Sequence, residues 1–115
     1  MKKLLLTIAL CLAVSGGTVG TAISGTVSGA SYTYIMNGLW CIHRYEGAWN
    51  DPYAPYYGGL QMDIPFMQHY GYSYYRRWGT ADHWPVWAQM QAGVNGYLVQ
   101  GWYAWPNTAR LCGLI

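Results

Sequence analysis

Glu46 is the only glutamate in this 115-residue chain. It lies within LWCIHRYEGAWN, Leu39–Asn50. Leu39, Ile42 and Glu46 are spaced three and four apart, so on a helix they share one face. That face carries the side chains expected in the core, and a carboxyl is seldom buried without a partner or a purpose. Gly47 should end the helix, which puts Glu46 in the last turn. There the negative end of the helix dipole disfavours a second negative charge. Burial and dipole both favour the neutral acid over the carboxylate. A carboxylic acid that keeps its proton near neutral pH is what a general acid needs. The same spacing also fits a glutamate turned outward into water beside a terminal glycine.

The elements around it can be read from punctuation and periodicity. Asn37 can N-cap a first helix over about Gly38–Glu46. Gly47–Gly59 reads as a loop, because Asp51-Pro52, Pro55 and Gly58-Gly59 forbid regular structure. Gly59–Asp63 suggests a short strand or hairpin edge. Pro65 fits the first turn of a second helix, Pro65–Arg76, with Phe66, Met67 and Tyr70 inward. Asp82 would cap a third helix, about His83–Gln100. Val86, Met90, Val94 and Leu98 step by four down one side of it, flanked by Trp87 and Tyr97. Gly93 and Gly96 weaken that helix by about 1 kcal/mol each, so packing must hold it, or a helix must approach closely there. Trp102–Ile115 reads as a tail with at most a short turn of helix after Pro106.

Twelve tyrosines and seven tryptophans stand against one phenylalanine. These are rings with a polar handle, able to stack on the flat faces of sugars while their OH and NH groups bind hydroxyls. About half can be assigned to the core in place of Leu and Phe. Trp49, Tyr53, Tyr56, Tyr57, Trp102 and Trp105 fall in expected loops, where binding residues concentrate.

The N-terminus reads as a secretory signal. Lys2 and Lys3 precede a short apolar run, Leu4–Val14, too short to span a bilayer. Small residues allow cleavage after Ala22 or Ala30, and the low-complexity run Ile23–Gly29 favours Ala30. Residues 1–30 are thus a leader and 31–115 one domain. Without Lys2 and Lys3, four arginines (Arg44, Arg76, Arg77, Arg110) face four acids (Glu46, Asp51, Asp63, Asp82). Nothing tracks a phosphate backbone, so no nucleic-acid partner is expected. Arg76-Arg77 reads as a solvated helix end. No membrane association is expected after signal removal. Cys11 leaves with the leader, and in an exported protein Cys41 and Cys112 are expected to pair. They are 71 positions apart, which gives a chain-entropy stabilisation of roughly 4 kcal/mol. That is substantial for a domain of about 85 residues, where one core is marginal. Two free buried thiols are the alternative.

The order of these signals resembles the resuscitation-promoting-factor catalytic domain, in the transglycosylase-like branch of the lysozyme superfamily. The matching pieces are YEGAWN (Tyr45–Asn50), YYGGLQ (Tyr56–Gln61) and QGWYAWP (Gln100–Pro106), in order and with fitting gaps. Pro65 falls where soluble lytic transglycosylases place a proline. The resemblance spans most of Asn37–Cys112. It implies an α+β, mostly α, lysozyme-like fold with a short β element and one disulfide. It also implies a secreted or wall-located enzyme, without cofactor and expected to be monomeric, acting on peptidoglycan glycan strands. Glu46 matches the family's catalytic acid and Gln61 the glutamine of its GGLQ segment. Trp102 and Trp105 match its Gly-Trp-x-x-Trp-Pro signature; Trp49 and Tyr57 complete the expected substrate contacts. The chain departs from the family in having Tyr45, not cysteine, before the catalytic glutamate, with Cys41 one helical turn earlier. Asp63-Ile64-Pro65-Phe66 replaces the family's polar residues after GGLQ and offers Asp63 as a second carboxylate.

Carboxylate number decides the chemistry. Ordinary glycosidases use two, about 5–9.5 Å apart. A lytic transglycosylase uses one, as acid and then as base, closing a 1,6-anhydro ring on the muramic sugar. If Asp63 or Asp51 reaches the cleft, hydrolysis of the same bond by an activated water follows instead. A reading of another class is a non-catalytic wall-glycan binding module. For a metal there is little support: His43 and Glu46 are three apart, but His69 and His83 are distant and no HExxH occurs.

Overall fold

The computed structural model describes residues 29–115. The leader before Gly29, its cleavage point at Ala22 and Cys11 lie outside the described residues; Ala30, the favoured cleavage point, falls in the first turn of the first helix. Among the described residues five α-helices run in order: α1 (Gly29–Glu46), α2 (Ile64–Tyr70), α3 (Tyr72–Trp78), α4 (Val86–Gln100) and α5 (Pro106–Leu111). Short 3-10 turns at Ala81–His83 and Gly101–Ala104 precede α4 and α5. Thr33–Ile115 pack as one unit, and Gly29–Tyr32, the opening turn of α1, fall outside it.

The described chain is thus a mostly helical domain, and several expected boundaries move. Helix α1 ends at Glu46 as its spacing indicates, but it does not begin at Gly38 and Asn37 is not its cap. Gly38 sits inside the helix because the Trp102 indole lies against it. A Cβ there would come within 2.3 Å of that ring. The second expected helix is broken at Gly71, giving α2 and α3. At Gly71 a Cβ would meet the Trp84 ring at 2.7 Å, so the chain passes that indole on bare backbone. Helix α4 begins at Val86, and Asp82 belongs to the preceding 3-10 turn.

The stripe on α4 also shifts. Ala88, Gln89, Met90, Ala92, Gly93, Val94 and Gly96 are buried, whereas Val86, Trp87 and Leu98 are exposed. Gly93 and Gly96 mark close approach: a Cβ on Gly93 would meet Leu60 at 2.7 Å, and one on Gly96 would meet Phe66 at 2.2 Å. The loss of helix propensity at two glycines is therefore offset by contact with the central loop and with α2. Leu39 and Ile42 of α1, Leu60 and Met62 of the loop, and Met67 of α2 are the largest apolar side chains sealed in the core.

The expected β element reduces to one antiparallel bridge, Tyr57 to Met62, with N–H to O distances of 2.9 and 3.0 Å. No strand occurs among the described residues. The turn it closes contains Gly58 at φ 75 and Gln61 at φ 50. Gln89 holds this turn from below. It is fully buried; its Oε1 accepts from Gly59 N–H at 2.8 Å, and its Nε2 donates to the carbonyls of Trp49 and Trp84 at 2.9 and 3.1 Å.

Cys41 on α1 is bonded to Cys112, just past α5, with Cα atoms 6.1 Å apart. At the other end of α5 the buried Trp105 donates from Nε1 to the Leu60 carbonyl at 2.8 Å. A six-residue helix has little stability of its own. These two anchors fix α5 to α1 and to the central turn.

Candidate active site

Glu46 closes α1 and is half-buried, on the same face as the sealed Leu39 and Ile42. Its carboxyl is not turned away alone into water. The hydroxyl of buried Thr108, from α5, donates to Glu46 Oε2. The two anchors of α5 are what bring Thr108 to the end of α1.

The next residue, Gly47, lies against a polar pair. A Cβ there would be 2.9 Å from Gln61 Nε2 and 3.1 Å from Asp51 Oδ2. Gln61 Nε2 donates to Asp51 Oδ2 at 2.8 Å and to the Gly58 carbonyl at 3.0 Å. Asp51 Oδ1 accepts from Tyr53 N–H at 3.2 Å. Gln61 holds a left-handed backbone that non-glycine residues adopt at a cost of order 1–3 kcal/mol. The turn thus aims one amide at the chain leaving Glu46.

From Gln61 a groove of about 360 Å³ runs between α2 and the approach to α5. Tyr56 and Gln61 stand at the turn; Asp63, Phe66 and Tyr70 come from the α2 side; Gln100 and Trp105 come from the far side. Gln100 Nε2 donates to the Tyr70 hydroxyl at 3.0 Å, and Phe66 packs on Trp105 with ring centroids 5.6 Å apart. The lining reaches Gln61 but does not include Glu46 itself.

The structure therefore brings Asp51 and Gln61 together beside Gly47, the residue that follows Glu46, and places Trp105 and Asp63 along the groove. The other expected contacts lie elsewhere. Trp102 is 5% exposed, packed on Gly38, 4.4 Å from the Tyr97 ring, and donating to the Tyr34 hydroxyl at 3.1 Å. It is a core residue. Trp49 stacks on His43 at 3.8 Å and lies over Gly59, outside the groove. Tyr57 makes the bridge through its backbone, and its side chain does not line the groove. Asp63 lines the groove, yet its Oδ1 accepts from Phe66 N–H at 2.9 Å as the N-cap of α2. Asp51 is held as well, by Gln61 Nε2 and Tyr53 N–H, but its Oδ2 lies beside Gly47 at the end of α1.

Thr108 and Gln89 were not singled out from sequence. Gln89 sits within an expected helix but off its apolar stripe, and a buried amide leaves no periodic mark. Thr108 lies in the short C-terminal segment, and only the fold brings it to Glu46. Tyr70 and Gln100, which meet across the groove, are 30 positions apart and share no motif.

Among the described residues no group of three or more His, Cys, Asp and Glu could hold a metal ion, and no helix is long and apolar enough to cross a membrane. No protein-family model matches this chain, and neither a curated protein nor a solved structure matches it.

Proposed function

We propose that the protein is a secreted enzyme that cleaves the glycan strands of peptidoglycan, with Glu46 as its general acid. The observation that supports this most is the setting of the lone glutamate. It is half-buried, its carboxyl is held by Thr108, and the next residue, Gly47, lies against the Gln61–Asp51 pair, whose Gln61 opens the aromatic groove. A strand lying in the groove would pass Gln61 and present a glycosidic bond to the acid beyond it. Tyr56 and Phe66 offer ring surface to sugar faces above the buried Trp105, and Gln61, Tyr70 and Gln100 offer polar groups to their hydroxyls.

The reaction follows from one acid working twice. Glu46 gives its proton to the glycosidic oxygen beyond the N-acetylmuramic acid, and the bond from that oxygen to the anomeric carbon breaks. The sugar's own N-acetyl oxygen can shield the developing cation. Glu46, now a carboxylate, takes the proton of the 6-hydroxyl, whose oxygen bonds to the anomeric carbon. The acid is restored and no water is consumed, leaving a 1,6-anhydro end.

The position of Asp51 favours a second outcome on the same bond. If its carboxylate activates a water against the cleaved sugar, the product is an ordinary reducing end, as in two-carboxylate glycosidases. Mass spectrometry of digested glycan strands separates the two, because anhydro ends are lighter by one water. Anhydro ends that persist in Asp51→Asn support the single-acid route. Reducing ends that vanish in that variant support hydrolysis. No new ends of either kind would refute the enzymatic reading.

A further inference from the structure

A second concave surface lies on α3 and the start of α4 and shares no lining residue with the first groove. It encloses about 720 Å³ and is formed by Tyr72, Tyr74, Arg76, Arg77, Trp78 and Trp87, with Ser73 at its edge. Helix α3 has no buried residue, so the patch is held to the domain by rings. Trp84 is the anchor: it is buried, and its Nε1 donates to the Gly79 carbonyl at 2.8 Å. Tyr74 packs edge-on against Trp84 at 5.4 Å and against Trp87 at 5.5 Å, and lies nearly parallel to Trp78 at 6.1 Å. The Trp78 and Trp87 rings meet at 82° with centroids 6.3 Å apart, which makes a corner open to water. Trp87 is 62% exposed and Tyr72 57%.

Two guanidinium groups border that corner. Arg76 lies 5.8 Å from the centre of the Tyr72 ring and Arg77 5.2 Å from that of Trp78. The rings steady both cations. Among the described residues neither arginine is paired with a carboxylate, and no acid lines the surface. The patch therefore presents flat apolar faces and planar, uncommitted positive charge together.

We infer that this surface binds a glycan bearing carboxylates, as a site separate from the Glu46 groove. Sugar faces would cover the Trp78–Trp87 corner, and carboxylates would meet Arg76 and Arg77 in the two-pronged geometry that guanidinium favours. A polyol-phosphate chain supplies the charge but no ring face. A lipid surface fits less well, because the patch holds no aliphatic side chain to enter the acyl region. Two arginines in a domain whose arginines and acids balance are too few for nucleic acid. The inference stands whether or not Glu46 cleaves a glycan.

The test is calorimetric titration of the purified protein with polygalacturonate. Parallel titrations use neutral dextran, a glycerol-phosphate polymer and phosphatidylglycerol vesicles. Polygalacturonate should bind most tightly and weaken as salt is raised. Trp87→Ala should lower its affinity roughly three- to tenfold. Arg76→Ala with Arg77→Ala should remove most binding and its salt dependence. All these side chains are exposed or half-buried, and circular dichroism confirms that the variants fold. Equal or tighter binding of any comparison ligand overturns the inference, as does wild-type affinity in either variant, or no binding of polygalacturonate.

Discussion

Replacing Thr108 with valine isolates the contact that sets Glu46 in place. Valine keeps the shape of threonine but loses the hydroxyl, so the buried end of α5 stays filled while Glu46 Oε2 loses its donor. A hydrogen bond from a hydroxyl to a carboxyl is worth about 0.5–1.5 kcal/mol when the acid is neutral and about 1.5–3 kcal/mol when it is a carboxylate. Glu46 is half-exposed and can recover part of that from water, which leaves about 1–2 kcal/mol. If the hydroxyl holds the carboxyl in its reactive position, the loss falls on the transition state, and kcat drops roughly 5- to 30-fold. Folding stability should fall by only about 1 kcal/mol, within reach of urea titration. Thr108→Ser restores the donor and should recover most of the rate. The assay is release of soluble fragments from dye-labelled cell walls, with unfolding followed in parallel. A Thr108→Val protein that cleaves at the wild-type rate, beside a dead Glu46→Gln, would refute the positioning argument. So would equal losses in the valine and serine variants.

Other substitutions separate scaffold from chemistry. Cys41→Ser with Cys112→Ser should cost about 4 kcal/mol by loop closure over 71 residues, read as a lower urea midpoint, and should release α5 from α1. Asp63→Ala should lower stability by about 1 kcal/mol through loss of the α2 cap while leaving cleavage near wild type. Gln89→Leu leaves the buried Gly59 N–H without its acceptor. It should cost about 3 kcal/mol in thermal or urea unfolding, and loosen the turn that carries Gln61. Gly96→Ala gains about 1 kcal/mol of helix propensity, but its methyl would stand 2.2 Å from Phe66. A net destabilisation of about 1–2 kcal/mol is expected, with weaker glycan affinity as Phe66 is pushed toward the groove.

Local spacing carried a good part of this architecture. Leu39, Ile42 and Glu46 mark the inward face of α1 and its end, and the two cysteines of the domain are bonded as an exported chain suggests. What spacing could not carry was contact between distant residues. One such contact, Trp102 on Gly38, explains two misplacements at once. Gly38 looks like a helix boundary until a ring is found lying on it, and Trp102 looks like a loop ligand until it is seen filling that gap. Gly71 breaks a helix for the same kind of reason, with Trp84 against it. In the site, Gln61 was legible only through the resemblance of Tyr56–Gln61 to a GGLQ segment. Thr108 was not, because 62 positions separate it from Glu46 and only the anchoring of α5 joins them.

The most direct measurement is cleavage of purified peptidoglycan strands by Glu46→Gln, with strand binding measured on the same preparation. Glutamine keeps the size of the side chain and can still meet Thr108, but it has no proton to give at the glycosidic oxygen. The account predicts that new glycan ends disappear while binding is retained. Undiminished formation of new ends by Glu46→Gln would contradict it, and equal wall binding with no cleavage by wild type or variant would leave a glycan-binding domain in its place.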